Sequence, residues 1–261
     1  MLFQKIDISV NISIGITTFE NRYEKYFVPL LSKIREYDSE TEIIVTINGE
    51  NKKKFGELYR KRILQFISEK KNIFPIFFPQ FRGLSKLWNT IIIHATGDYI
   101  LILNDDIMIN DPKFLKKIIK AIKRNNHQSF IINKSWSHFV ISREEIDRLG
   151  YCDERLIGIG EEDGDITWRY LKMFGKPIPS FYLRGFVNYA QETLYSYKPI
   201  NIKTHSNTKY SFFNRNYMFN HKYKKDPNGF KGIFDYPVTI EDVGPVQYPN
   251  ERFYLEHKDE L

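Results

Sequence analysis

Between Ile8 and Ile122, short apolar runs alternate with stretches of helical period, and this alternation restricts the fold more than any other property of the chain. Such runs, rich in isoleucine and bounded by turn signals, read as strands buried on both faces. Ile8 to Ile16 is the first, stopping at Thr17-Thr18-Phe19-Glu20. Phe27, Leu30, Leu31 and Ile34 then recur at helical spacing, with Pro29 confined to that helix's first turn. Ile43-Ile44-Val45 leads to the turn signal Asn48-Gly49, and Phe55, Leu58, Tyr59, Ile63 and Phe66 form a second helix. Ile73 to Phe78 contains Pro75 and precedes Pro79, which predicts a short strand near a sheet edge. Leu84, Leu87, Trp88, Ile91, Ile92 and Ala95 give the clearest helix, and Thr96-Gly97-Asp98 returns the chain to the strand Tyr99–Leu103. Strands and helices alternating through short turns imply an α/β fold, a mostly parallel central sheet covered by helices on both faces.

Beyond this point the pattern changes. Asp111 as N-cap and Pro112 at N1 predict a helix with Phe114, Leu115, Ile118, Ile119 and Ile122 inward. Phe130–Ile132 and His138–Ile141 read as strands. Ser142-Arg143-Glu144-Glu145 reads as a capping box for a short helix closed by Gly150. Gly158-Ile159-Gly160-Glu161-Glu162-Asp163-Gly164-Asp165 opens a helix that runs through Ile166, Tyr170 and Met173 to Gly175. Residues 181–201 are aromatic and irregular.

A net charge of +7 suits anionic partners, although most lysines fall on helix faces where solvation explains them. A nucleic-acid role needs cations interleaved with aromatics on one face, and only the 212–225 segment offers that, so none is expected. The same segment, Phe212 to Tyr223, is open to two readings: contact with a membrane surface, or a helix packed across the core. The single cysteine, Cys152, excludes an internal disulfide framework and fits a reducing compartment. With no apolar run of membrane-spanning length and no signal-peptide core, a cytoplasmic protein is expected, peripheral at most at the inner face of a membrane. The terminal Lys258-Asp259-Glu260-Leu261 then reads as a coincidental retrieval signal.

Two acidic groups remain. Asn104-Asp105-Asp106 ends a buried strand, and carboxylates there fall at the carboxyl edge where open α/β sheets bind ligands. In extended backbone Asn104 and Asp106 point one way and Asp105 the other. Carboxylate oxygens suit Mg²⁺ or Mn²⁺ shared with phosphates. The plain alternative is a solvated acidic loop. Glu161, Glu162 and Asp163 near a helix start complement its dipole, yet a run of three plus Asp165 exceeds what capping needs. Two separated acidic sites suit a division of labour: one holds a metal and a phosphate leaving group, the other takes a proton from an incoming hydroxyl.

The order Ile12-Ser13-Ile14-Gly15-Ile16-Thr17-Thr18-Phe19, Glu42-Ile43-Ile44-Val45, Asn48-Gly49, Arg82-Gly83-Leu84-Ser85 with Asn89-Thr90, Ala95-Thr96-Gly97-Asp98-Tyr99 and Asn104-Asp105-Asp106 resembles family 2 glycosyltransferases of the GT-A fold. The likeness continues through Leu149-Gly150-Tyr151-Cys152-Asp153-Glu154 and Gly160-Glu161-Glu162-Asp163-Gly164-Asp165-Ile166 with Arg169. It implies an inverting, metal-dependent transferase using a nucleotide-diphosphate sugar, a UDP-sugar first, with a glycan or lipid-linked glycan as acceptor in surface polysaccharide assembly. Asp163 is then the general base, with Glu162 sharing that role or binding acceptor. Thr18, Glu20, Asn48, Gly49, Gly83, Ser85, Asn89, Asn104 and Asp105 are expected around the donor. Asp106 is expected to hold Mn²⁺ or Mg²⁺, with His205 completing the site. Trp136 and Glu161 are the weaker acceptor-side candidates. The implied organisation is a GT-A domain over 1–210, donor half about 1–110 and acceptor half about 111–210, followed by an aromatic and basic extension over 211–261. The chain departs from the family pattern at Ile47 and Asn104, where Asp is usual, and at Trp88, a position often held by Arg.

Two other functions stay open on sequence. A sugar nucleotidyltransferase would need a glycine-rich, basic loop after the first strand, which Thr17-Thr18-Phe19-Glu20 does not supply. A non-catalytic sugar- or protein-binding module of the same fold would keep the same residues.

Overall fold

The computed structural model describes residues 10–19, 22–49, 56–189 and 209–223. Four strands, β1 (Ile12–Phe19), β2 (Ile43–Asn48), β3 (Ile73–Phe78) and β4 (Tyr99–Asn104), alternate with α1 (Val28–Tyr37), α2 (Glu57–Ser68) and α3 (Leu84–His94). They pair in parallel in the order β3-β2-β1-β4. The chain builds outward from β1 to β3, then crosses back to place β4 on the other side of β1. That reversal leaves a crevice at the carboxyl ends of β1 and β4, the topological switch point of an open α/β sheet. Pro75 sits on the edge strand, where its missing N–H costs the sheet least.

The remainder comprises β5 (Ile107–Ile109), α4 (Phe114–Arg124), β6 (Phe130–Ile132), β7 (Ser135–Ser142), α5 (Arg143–Leu149), α6 (Glu162–Phe174), β8 (Ser180–Phe181), β9 (Phe186–Asn188) and α7 (Lys209–Tyr217). β7 pairs antiparallel with β4, and β6 and β8 extend the sheet to seven strands. β5 and β9 form a separate antiparallel pair beside the β4 exit. One core lies between the sheet and α1, α2 and α4, centred on Ile14, Ile16, Phe27, Leu101 and Phe114. The other lies under α3, α5 and α6, around Trp88, Ile91, Ile102, Phe139 and Tyr170. Trp88 is therefore a core residue, its ring edge-on to Phe139 at 5.0 Å.

Two local expectations are corrected. α4 begins at Phe114 with Lys113 as N-cap, because Asp111 spends its Oδ1 on the Lys113 N–H in a turn ahead of the helix. The capping box at α5 does not form: Ser142 makes no side-chain cap, and the Glu145 carboxylate instead accepts the Ser129 N–H and the Tyr170 hydroxyl.

Candidate active site

β1 and β4 deliver the first group of polar residues to one edge. Thr17 and Asn104 are register partners across the two strands, and the Thr17 hydroxyl donates to Asn104 Oδ1 at 3.4 Å. After Asn104 the chain turns instead of continuing extended, so Asp105 and Asp106 do not diverge as the strand geometry predicts. Both reach one guanidinium. Arg22 Nε donates to Asp105 Oδ1 at 2.7 Å, and its Nη2 lies 2.6 Å from Asp105 and 2.9 Å from Asp106 Oδ2. Thr18 Oγ1 donates to the other Asp105 oxygen at 2.8 Å. Asp105 is 2% exposed and Asp106 7%. Burial pushes the Asp105 carboxyl up to about 6, against the pull of Arg22 and Thr18. For Arg22 burial opposes the charge, but the two aspartates outweigh it and raise its pKa.

The turn is fixed from below by the Tyr189 N–H, which donates to the Asp106 carbonyl at 2.9 Å. Arg22 lies over the Tyr26 ring, 4.8 Å from its centroid. Lys25, Tyr26, Pro29, Met108 and Tyr189 bound an open pocket of about 190 Å³ next to it. Asp106 Oδ1 is buried without a partner. So are both ring nitrogens of His138, which stands opposite Leu103 on β7 and stacks on Phe186 at 5.9 Å. Burial depresses His138 to about 4, with Asp106 pulling the other way, so its ring is neutral near pH 7.

Several expected donor residues serve the walls of this crevice. Asn48 accepts the Arg82 N–H at 2.9 Å and donates to the Arg82 carbonyl at 2.8 Å, tying the β2 exit to the loop before α3. Gly49 is required there by close approach, since a Cβ would come within 2.9 Å of the Pro79 carbonyl oxygen. Gly83 is the N-cap of α3, and Ser85 is buried with its hydroxyl unpartnered. Asn89 lies deeper. Its amide is spent on both backbone groups of Cys152 and on Glu154, which fastens the 152–154 loop to α3. Burial pushes the Cys152 thiol up to about 12, so it is no nucleophile at neutral pH. Trp136 packs edge-on against Phe139 at 4.9 Å, half-buried against the second core.

The second acidic group reaches the same edge by a different route. The Leu84 N–H at the start of α3 donates to the Gly158 carbonyl at 2.8 Å. Phe19 at the end of β1 stacks on Phe81 at 6.2 Å, and Phe81 on Tyr210 at 6.3 Å. Gly158 has φ +62°, and a Cβ on it would strike the Tyr210 ring. Asn214 of α7 then clamps the loop, accepting the Ile157 N–H and donating to the Ile157 and Gly160 carbonyls at 2.7–2.8 Å. Glu161, at φ 74°, caps α6 in the left-handed region and binds Arg215 and Ser211 of α7.

Within α6 the acids diverge. Asp165 is fully buried, paired with Arg169 at 2.9 Å and Lys222 at 2.9 Å, and accepts the Tyr223 hydroxyl. Lys222 also pairs with the equally buried Asp153 at 2.7 Å. Burial opposes ionisation of Asp165, yet Lys222 and Arg169 prevail and hold it well below the ordinary range. Glu162 is buried, with one oxygen accepting the Gly160 N–H at 2.6 Å; burial, then Asp163, pushes it up to about 8. Asp163 is exposed, and its carboxyl too is raised, by desolvation and by Glu161, against the Gly164 N–H that it accepts. Glu20 and His205 lie outside the described residues.

Arg22, His138, Asn214 and Lys222 are the contributors that reading the sequence missed. Arg22 and His138 are single polar residues with no motif around them, the one signal at Arg22 being a cation two positions past Glu20, whereas Asn214 and Lys222 lie in the aromatic and basic 212–225 segment. Among the described residues no group of three or more His, Cys, Asp or Glu is placed to hold a metal ion. The buried, unpartnered Asp106 oxygen and the neutral imidazole of His138 fit a divalent cation that takes its remaining ligands from substrate phosphates.

A family model for glycosyl transferase family 2 matches residues 13–159, more than half of the chain. A comparison with curated protein sequences finds no match. Among solved structures, residues 1–349 of TarS from S. aureus superpose with a TM-score of 0.52 at 16% identity, over 80% of this chain and 72% of that one. A mannosyltransferase from Pyrobaculum calidifontis, in complex with GDP-Man and Mn²⁺, gives 0.53 at 14%, over 68% and 55%. Glucosyl-3-phosphoglycerate synthase from Mycobacterium tuberculosis, with Mn²⁺, UDP and glucosyl-3-phosphoglycerate, gives 0.51 at 13%, over 69% and 72%. The matched part of a longer TarS chain is 36% of that chain. These likenesses show a GT-A fold.

Proposed function

Because the chain belongs to glycosyl transferase family 2, we propose that it moves a sugar from a nucleotide-diphosphate sugar to a hydroxyl of a glycan or lipid-linked glycan, with inversion. The observation that carries this reading is the meeting of two unlike acidic sites at one sheet edge. One has a buried, unpartnered carboxylate oxygen at Asp106 beside Arg22, and the other has the exposed carboxylate of Asp163 at the head of α6.

Asp163 takes the proton of the acceptor hydroxyl as that oxygen bonds to the anomeric carbon. The bond from that carbon to the donor phosphate breaks, and the nucleoside diphosphate leaves with the electron pair. Attack opposite the leaving group inverts the centre. The raised carboxyl of Asp163 makes it a stronger base than an ordinary aspartate. Glu162, protonated near neutral pH, donates a hydrogen bond to the acceptor and takes no proton itself. Arg22 meets the diphosphate and offsets its growing charge. Asp106, with His138, would hold a Mn²⁺ or Mg²⁺ ion, which supplies Lewis-acid neutralisation of the leaving group when bound.

Two of the similar structures contain GDP-Man or UDP, so UDP-sugars and GDP-Man are the donors to try first. Thermal shift and calorimetry with these ligands, with and without Mn²⁺, test the reading. At least one is expected to stabilise the protein only with Mn²⁺, and Asp106→Ala to lose that effect. No stabilisation by any nucleotide diphosphate would sink it.

A further inference from the structure

The solvent face of α4 has a charge pattern that sugar transfer does not use. Lys113 at its N-cap and Lys116, Lys117, Lys120, Lys123 and Arg124 within it fall inside an arc of about 120°. The opposite face buries Phe114, Ile118, Ala121 and Ile122. No acid occurs in the helix. Asp111, just ahead of it, pairs with Lys117. Elsewhere the outer helix faces mix signs: Lys33 pairs with Glu36, and Arg60 with Glu57.

A second feature adjoins this face. The loop 182–185 lies against the start of α4, where the Asn110 N–H donates to the Gly185 carbonyl at 2.8 Å and Lys117 Nζ lies 3.4 Å from the Arg184 carbonyl. Tyr182 in that loop is 83% exposed, and Arg184 beside it is exposed. On the other flank, Asn133 accepts the Leu183 N–H at 2.8 Å, which sets the exposed Lys134 near the same loop. A large solvated ring thus stands among cations.

We propose that this face docks the protein on an anionic lipid bilayer, with α4 lying along the headgroups and Tyr182 at the interface. Charge complementarity argues for that occupant: a helix that carries five cations and no acid of its own attracts a negatively charged surface, and tyrosine partitions to the headgroup level. A single-stranded nucleic acid would need stacking rings interleaved with the cations, and α4 presents none between Lys116 and Arg124. β5 and β9 link this face to the crevice. They bond to each other between the Asn110–Gly185 contact and the Tyr189–Asp106 contact, a run of three residues, about 10 Å. A docked protein therefore holds the Asp106 turn close to the lipid surface, the place where a lipid-linked acceptor presents its glycan. The docking itself does not rest on the transferase reading, and its test is independent of nucleotide binding.

The test is co-sedimentation of the whole chain with vesicles of equal parts phosphatidylcholine and phosphatidylglycerol, and with phosphatidylcholine alone. Binding to the mixed vesicles only, weakening steeply with salt, is expected. The triple variant Lys116→Glu/Lys120→Glu/Lys123→Glu should bind at least roughly a hundredfold more weakly, with an unchanged melting temperature. The same reversals at the exposed Lys61, Lys71 and Lys172 should cost far less. Tyr182→Ala should weaken binding further without altering the salt dependence. Equal losses from both triple variants, equal binding to neutral vesicles, or tighter binding to an RNA oligonucleotide at the same salt would each overturn the proposal.

Discussion

The two acidic groups over the sheet edge are neutralised in opposite ways. At the β4 turn a single half-buried arginine spans Asp105 and Asp106, and one Asp106 oxygen is left without a partner. At the head of α6 the acids are sorted by direction. Asp153 and Asp165 turn inward onto Lys222 and Arg169, in a quartet almost free of solvent. Glu162 and Asp163 form no ion pair among the described residues, and both carboxyls are raised. An arginine that still reaches solvent can exchange its partners for a metal and a phosphate. A dry quartet cannot, because each ion left alone would bear an uncompensated desolvation cost. The first group is built for exchange; in the second, the inward pair holds the outward pair in place.

Four substitutions probe that contrast. Asp163→Asn should lower the turnover number by about 10²–10⁴ while leaving the melting temperature and Mn²⁺-dependent nucleotide binding intact. Unchanged turnover in initial-rate assays would remove Asp163 from the mechanism. Lys222→Met should destabilise the fold by about 3–5 kcal/mol in urea melts, since it removes the buried cation that Asp153 and Asp165 share and leaves the first to Arg155 and the second to Arg169; a loss no greater than that of a surface lysine would mean that the quartet is not structural. Arg22→Gln should tighten Mn²⁺ binding roughly fivefold at pH 8, as read by electron paramagnetic resonance, because a competing cation leaves Asp106. Weaker Mn²⁺ binding would mean that Arg22 positions Asp106 for the ion instead of competing with it.

Glu162→Gln is the smallest and concerns pH. Folding raises this carboxyl from 4.5 to about 8, so between those values the native state binds more protons than the unfolded chain. Stability then falls as pH rises through that window, and glutamine removes the slope. The variant should match the parent near pH 4 and exceed it by about 1–2 kcal/mol at pH 8, with relaxation of α6 limiting the gain. A constant difference across the window would show that Glu162 is not held protonated.

The strand and helix order up to Asp106 was legible in the sequence because period and turn residues act locally: Pro29 in the first turn of α1, Pro75 on the edge strand and Gly175 closing α6 all stand where local rules put them. The antiparallel β7 was not, since a strand's direction depends on the connection it follows and not on its composition. The Asp105 side-chain direction was misread for a related reason, since alternation holds only while the backbone stays extended and the chain turns directly after Asn104. Asn48 and Asn89 illustrate a further limit: an amide in a motif looks the same whether it faces a ligand or staples two loops.

By itself, then, the sequence determined that four buried strands alternate with helices and that acids stand at the end of one strand and the start of a later helix. Only the tertiary structure decided which acids are compensated and which are left open. Arg22 meets Asp105 across 83 positions and Lys222 meets Asp153 across 69. Local propensity has no reach over such separations, and an ion's charge state is set by whatever the fold packs beside it.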